Sequence, residues 1–322
     1  MKINFFQGNK VRSGGNIYDA YVYEILKSNH NICYHKSFTN YRSIGHTYLD
    51  LIYSAFFNKS NQGEIDIMDY FTSTGFLHRL KGKRIIIFHH FDEHENNKPK
   101  KYNYLFKRFL KNAKNATVVV VSKYWYSFLK EKGVEDIQLI YNSFKNELYK
   151  PSLIRSEFLS KYNLENKPII YIGKNSISKS LNAYQIIQHL KAKYHIITTG
   201  INQEFEGPIN LNLNFSDYVN LLHHSSCTLL LTDFKEGWSR IAHESILCGT
   251  PVIGNGAGGM LELLKVTSQI IVDTNDGTLI NQNIIKLILE KKRVSENEIM
   301  NINIYDRNYF NEQWNNLLLT IR

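Results

Sequence analysis

Apolar runs of strand-like character alternate with stretches of helical periodicity along this chain, and that alternation leaves few architectures open. In the first half the runs are INFF near the start, IDIMDYF around residue 67, RIIIFHH around 87, TVVVVS around 119 and IQLIYN around 139. Helical patterns such as NIYDAYVYEILKS from Asn16 and KYWYSFLKEKG from Lys123 fill the intervals. The second half repeats the theme with PIIYIG at 168, YHIITTG at 194, CTLLLTD at 227, PVIG at 251 and QIIVD at 269. Strands alternating with helices form parallel sheets covered on both faces. The expectation is an α/β protein of two Rossmann-like doubly wound parallel-sheet domains in series, facing across a cleft. A chain of 322 residues suits two cores of about 150 residues each. The alternation lapses in NSFKNELYKPSLIRSEFLSKYN, which contains Pro151, so the hinge is expected near residues 145–155. The domains are then 1–150 and 151–302, with 303–322 a C-terminal helix packing back on the first.

Charge divides unevenly between these halves. Residues 1–150 hold 23 Lys+Arg against 13 Asp+Glu, and residues 151–322 hold 16 of each, so the whole net charge of +10 lies in the first half. Such asymmetry points the N-terminal part toward something anionic. Its densest stretch is KPKKYNYLFKRFLKNAK, Lys98 to Lys114, with seven basic and no acidic side chains. Tyr102, Leu105, Phe106, Phe109 and Leu110 fall there at near-helical spacing, giving an apolar stripe that either faces a core or lies on an anionic membrane surface. No run of about twenty apolar residues could span a bilayer, and no cleavable apolar signal opens the chain. The expected location is cytoplasmic, peripheral on the inner membrane face if the basic stretch docks there. Cys33, Cys227 and Cys248 have neither disulfide nor metal-ligand spacing, and are read as small core residues. No nucleic-acid module is recognisable, so nucleic acid is not expected as a partner.

The residues equipped for chemistry fall at the carboxyl ends of the strand-like runs, where sheets of this kind bind ligands. After the first run, VRSGGN places Ser13, Gly14 and Gly15 before a helix, where free amides can approach an anion; a plain turn reads the same way. His89 and His90 follow RIIIF, one expected to point inward and one away. Lys174 and Lys179 of KNSISK follow PIIYIG, where two cations could hold a diphosphate or simply be solvated. The stretch FKEGWSRIAHESILCGTPVIGNGAGG, residues 234–259, reads as a helix capped by Ser239, ended near Cys248 by Gly249 and Pro251, and followed by a strand. A straight helix from Glu236 to Glu244 would set the carboxylates roughly 80° apart around the axis and about 12 Å along it. That exceeds the roughly 5 to 9.5 Å of paired hydrolase carboxylates, and suits two hydroxyl groups of one long polar ligand. Both glutamates could also merely favour the positive start of a solvated helix.

Taken together, these stretches resemble the large family of retaining nucleotide-sugar glycosyltransferases with the GT-B fold, which includes sucrose synthases and many bacterial lipopolysaccharide and capsule transferases. EGWSRIAHE is similar to that family's E-x7-E element, and CGTPVIGNGAGGMLEL to the segment after it. Weaker likenesses run in the same order through SGG at 13–15, VVVSKYW at 119–125, IYNSF at 140–144 and YIGKNSISK at 171–179. The resemblance implies an N-terminal acceptor domain, a C-terminal donor domain, and transfer of a sugar from a nucleotide-diphosphate sugar, UDP- or GDP-linked, to a glycan or lipid-linked glycan with retention at the anomeric carbon. It implies that Glu236 contacts the transferred sugar, Glu244 the ribose, and the amides of Gly237, Trp238 and Ser239 the sugar and phosphate. Gly14 and Gly15 would join in donor binding, Lys174 and Lys179 would neutralise the leaving diphosphate, and His89 or His90 would sit near the reacting carbon. No metal and no cofactor are then expected. The family's usual Arg is Lys174 here, its Lys-Gly is Lys179-Ser180, and its frequent Asn-Gly-Val-Asp is Asn142-Ser143-Phe144-Lys145. The rival readings are a catalytically silent, sugar-nucleotide-binding relative and a sugar-nucleotide epimerase.

Overall fold

The computed structural model describes residues 1–7, 14–36, 64–74, 82–91 and 99–321. They divide into two compact units, Met1–Ser143 with Arg307–Arg322, and Phe144–Asp306.

The first unit is built on a six-stranded sheet. In chain order it runs β1 (Lys2–Gln7), α1 (Gly14–Asn29), β2 (Asn31–Lys36), β3 (Ile65–Asp69), α2 (Tyr70–Ser73), β4 (Lys83–Phe88), α3 (Pro99–Ala113), β5 (Thr117–Val120), α4 (Lys123–Glu131) and β6 (Ile137–Leu139). All neighbours pair in parallel, in the order β2-β1-β3-β4-β5-β6. The central strands are apolar nearly throughout because both faces are covered: Ile85 to Phe88 and Val118 to Val120 are buried. Phe88 stacks on Phe109 at 5.1 Å, Phe91 stacks on Phe106 at 4.3 Å, and Trp125 meets Phe88 edge-on at 5.5 Å. The apolar stripe of α3 is thus spent on this core, with Leu105, Phe106 and Phe109 buried. Its opposite face carries exposed Tyr104, Lys107 and Lys111. Lys98 and Ser13 lie outside the described residues, as do the side chains of Lys100, Lys101 and Tyr102.

The second unit repeats the design. It contains α5 (Arg155–Lys161), β7 (Ile169–Lys174), a π-helical turn (Ile177–Leu181), α6 (Asn182–Ile187), β8 (His195–Thr199), β9 (Ile209–Leu211), α7 (Phe215–His224), β10 (Cys227–Leu230), α8 (Arg240–Leu247), β11 (Val252–Gly254), α9 (Met260–Val266), β12 (Ile270–Ile271), α10 (Gly277–Leu289) and α11 (Glu296–Asn303). The sheet order is β12-β11-β10-β7-β8-β9, again parallel. Ile170, Ile172, Leu229 and Ile253 meet Ile187, Ile280 and Ile284 in its core. The last helix, α12 (Arg307–Ile321), belongs to the first unit: Phe310 packs on Tyr18 at 5.0 Å, and the Tyr18 hydroxyl donates to the carbonyl of Ile140 at 3.1 Å.

The doubly wound α/β expectation holds in both units. Two edge strands, β2 and β9, were not among the sequence runs; NICYHK and INL lack a continuous apolar stretch because an edge strand is only partly covered. Cys227 and Cys248 are buried, and burial pushes both thiols up to about 12. Cys33 is only half-buried, on an edge strand, so it is not the core residue its composition suggested. Among the described residues no helix is long and apolar enough to cross a membrane.

Candidate functional site

The topology of the second unit singles out one end of one pair of strands. From β7 the chain steps outward to β8 and β9; β10 then returns to the other side of β7 and leads on to β11 and β12. The gap between the loops leaving β7 and β10 is therefore the topological switch point, where open α/β sheets bind ligands. Lys174 is the last residue of β7 and Lys179 lies in the segment after it; the loop after β10 carries Glu236 to Ser239.

The β7 loop is shaped by two departures from regular structure. The register of β7 against β8 shifts between Tyr171 and Lys174, and Gly173 at the shift has φ +90°. Bulges of this kind re-aim a side chain next to sites; here Lys174 is exposed and its chain lies along Gly200 at the end of β8. Lys179 then sits in the π-helical turn, a widened turn common at functional sites. Ser180, which replaces a glycine of the resembled family, is buried and ties the loop shut: its hydroxyl donates to the Lys174 carbonyl at 2.7 Å.

Glu236 is not on a helix. Helix α8 begins only at Arg240, with Ser239 in the N-cap position, so the straight-helix separation from Glu244 does not apply. Instead the backbone of Glu236 bridges Gly258: its N–H donates to the Ala257 carbonyl at 3.3 Å, and its own carbonyl accepts from Gly259 at 2.8 Å. Gly258 has φ +66°, and a Cβ there would lie 2.4 Å from the Glu236 carbonyl oxygen. That explains Gly258 in GNGAGG: only a bare backbone approaches so closely. The Glu236 carboxylate lies 3.9 Å from the ammonium of Lys179, which also sits over the Phe234 ring at 5.4 Å. Gly237, Trp238 and Ser239 lead directly into α8, whose first amides lack intrahelical partners and favour an anion.

Glu244, one turn into α8, has a separate set of partners. The Tyr218 hydroxyl donates to Oε2 at 2.8 Å, and the Tyr149 hydroxyl and Arg240 each reach Oε1 at 3.2 Å. Burial and the Glu244 charge together push the Tyr218 phenol well above its ordinary value. A carboxylate offers about four acceptor sites. Three donors in place leave room for about one more hydroxyl.

In the first unit, β4 ends at Phe88, so His89 and His90 lie beyond the strand and its alternation does not govern them. His90 is exposed, and the His89 ring turns onto α1. Its Nε2 lies 3.1 Å from Oδ1 of buried Asp19, and Tyr18 meets it edge-on at 5.2 Å. A Cβ on Gly15 would come within 2.9 Å of that ring, so Gly15 is a packing requirement. Gly14 is the first residue of α1.

Sequence reasoning missed Asp19, Tyr149, Tyr218 and Arg240, which complete these clusters. Arg240 was findable, since it stands four residues before Glu244 on a helix. The tyrosines and Asp19 carry no local signal; their partners are 26, 70 and 95 residues away in sequence.

No protein-family model matches the chain, and no curated protein matches it in sequence. Solved structures do. Sucrose-phosphate synthase from Thermosynechococcus elongatus superposes with a TM-score of 0.82 at 12% identity, over 99% of this chain and 98% of that one. Anabaena HepE in complex with UDP-glucose gives 0.76 at 14% identity, over 99% and 100%. A glycosyltransferase from Rickettsia africae gives 0.72 at 17% identity, over 99% and 98%. At these identities the likeness is one of fold, and it agrees with the GT-B expectation.

Proposed function

We propose that this protein is a glycosyltransferase that moves a sugar from a nucleotide-diphosphate sugar to an acceptor hydroxyl, with retention at the anomeric carbon. The observation that carries the reading is Glu236 held by the glycine loop with its carboxylate 3.9 Å from Lys179, at the switch point of the second sheet. A fixed carboxylate beside a cation matches a ligand that presents sugar hydroxyls next to a diphosphate. In this reading Glu236 accepts from hydroxyls of the transferred sugar. Lys179, Lys174 and the amides of Gly237 to Ser239 stabilise charge on the departing diphosphate, and Glu244 uses its remaining acceptor site for a ribose hydroxyl. His89, fixed by Asp19, is assigned to the acceptor domain's part in the reaction, and a glycan or lipid-linked glycan is the proposed acceptor. The reaction needs no metal, because the lysines and amides do its electrostatic work. We place the protein in the cytoplasm, at the membrane when its acceptor is there.

The first test is a thermal-shift screen against ADP, GDP, UDP and dTDP, with UDP-glucose as the first sugar conjugate because HepE was crystallised with it. A ligand at one hundred times its Kd should stabilise the protein by about 2.7 kcal/mol. NMR of the product's anomeric centre then decides retention. No shift with any nucleotide or nucleotide sugar overturns the proposal; binding and cleavage with a change of configuration at an unmoved sugar would instead favour an epimerase.

A further inference from the structure

Trp238, whose amide lies in the proposed donor loop, has its side chain tied to the helix that follows. The indole Nε1–H donates to Nδ1 of His243 at 3.3 Å. Both residues are buried. His243 immediately precedes Glu244 on α8, and its ring is clamped: Phe144 stacks on it at 3.7 Å with 9° between planes, and Tyr305 stands against it at 6.1 Å. The outer face of Phe144 is covered by the Arg240 guanidinium at 4.4 Å. Phe144 is itself fixed, since its N–H donates to the Tyr305 carbonyl at 3.1 Å.

Because Nδ1 accepts, the ring proton must be on Nε2, and Nε2 is buried with no protein partner among the described residues. A buried donor left unmade is a cost, so a histidine is a poor choice for filling this space; an aliphatic side chain would pack without that penalty. What only an acceptor can supply here is a partner for the Trp238 indole. Burial and the neighbouring Arg240 charge hold His243 well below its ordinary pKa, so the acceptor stays available.

We propose that His243 is a positioning residue for the donor loop: through Trp238 it fixes the Gly237–Trp238–Ser239 backbone at the start of α8 while the same helix fixes Glu244. The consequence for nucleotide-sugar binding rests on the function proposed above; the loop's dependence on His243 does not.

The experiment uses the full chain with His243→Leu, His243→Gln, Trp238→Phe and the Trp238→Phe/His243→Leu double variant. Amide hydrogen exchange of Gly237 to Ser239 and the Trp238 indole NMR signal are read alongside Tm and the Kd of the tightest nucleoside diphosphate. His243→Leu should leave Tm within a few degrees, speed loop exchange about tenfold or more, and raise Kd about tenfold. His243→Gln, whose amide oxygen can accept, should restore both within about threefold. In the Trp238→Phe background His243→Leu should add nothing further. Unchanged loop exchange in His243→Leu, or fully additive effects in the double variant, overturns the proposal. If the unaltered protein binds no nucleotide, the function proposed above fails while the exchange and double-variant comparison still decides the role of His243.

Discussion

Gly258 and Glu236 show what a single position decides. A methyl group at Gly258 would meet the Glu236 carbonyl at 2.4 Å and force a side chain into φ +66°. We expect Gly258→Ala to lower stability by about 1–3 kcal/mol, and, if Glu236 binds donor as proposed, to weaken donor binding beyond that, because the loop it displaces holds that carboxylate. Denaturant titration and a Kd measurement separate the two effects. The glutamates themselves should part company. Glu244→Ala removes the shared acceptor of Tyr149, Tyr218 and Arg240 and should weaken nucleotide binding and lower Tm together. Glu236→Gln should bind nucleotide nearly as well but slow transfer, since the sugar it is proposed to contact gains charge in the transition state. Equal loss of nucleotide affinity in both variants would defeat this division.

At the scale of the element, α3 presents a basic face over an aromatic anchor. Phe109 is fully buried between Phe88 and Tyr70, so Phe109→Ala should cost about 3–5 kcal/mol, measured by urea unfolding. The stripe cannot serve a core and a bilayer at once, which leaves only charge and exposed Tyr104 for a membrane surface. Each basic residue near an anionic leaflet contributes about 1 kcal/mol, screened by salt. Vesicle flotation should therefore show binding to anionic but not neutral liposomes, reversed by high salt and abolished by glutamine at Lys100, Lys101, Lys107 and Lys111. Arg108 is left in place because its Nε donates to the Thr74 carbonyl at 2.7 Å, so replacing it would also disturb the fold. If the unaltered protein ignores anionic vesicles at low salt, the surplus charge belongs to an anionic soluble acceptor or to solubility.

The whole molecule joins a unit holding all the net positive charge to a neutral one, each a parallel sheet with its own core. If lysines and helix amides stabilise the departing diphosphate, transfer should proceed at full rate after exhaustive chelation. A rate lost to chelator and restored by magnesium or manganese would show that a divalent ion carries that charge instead.

Strand and helix alternation is a property of local sequence, and it determined the architecture: RIIIF, TVVVV, PIIYIG and CTLLL could be buried on both faces only in parallel sheets. The same local chemistry set the C-terminal end of α8, where Gly249 adopts φ +71°; Ser239 takes the N-cap position as expected, but its side chain makes no capping hydrogen bond. Edge strands β2 and β9 escaped because partial burial leaves no continuous apolar run. Tertiary structure alone decided the partners. Gly258, distant along the chain, draws Glu236 into a bridge that no helical spacing describes, and Glu244 gains two tyrosines that no spacing rule connects to it. Hydrogen bonds and close approaches of this kind depend on where the sheet order brings loops together, and that order is fixed by packing across the whole unit rather than by neighbours in sequence.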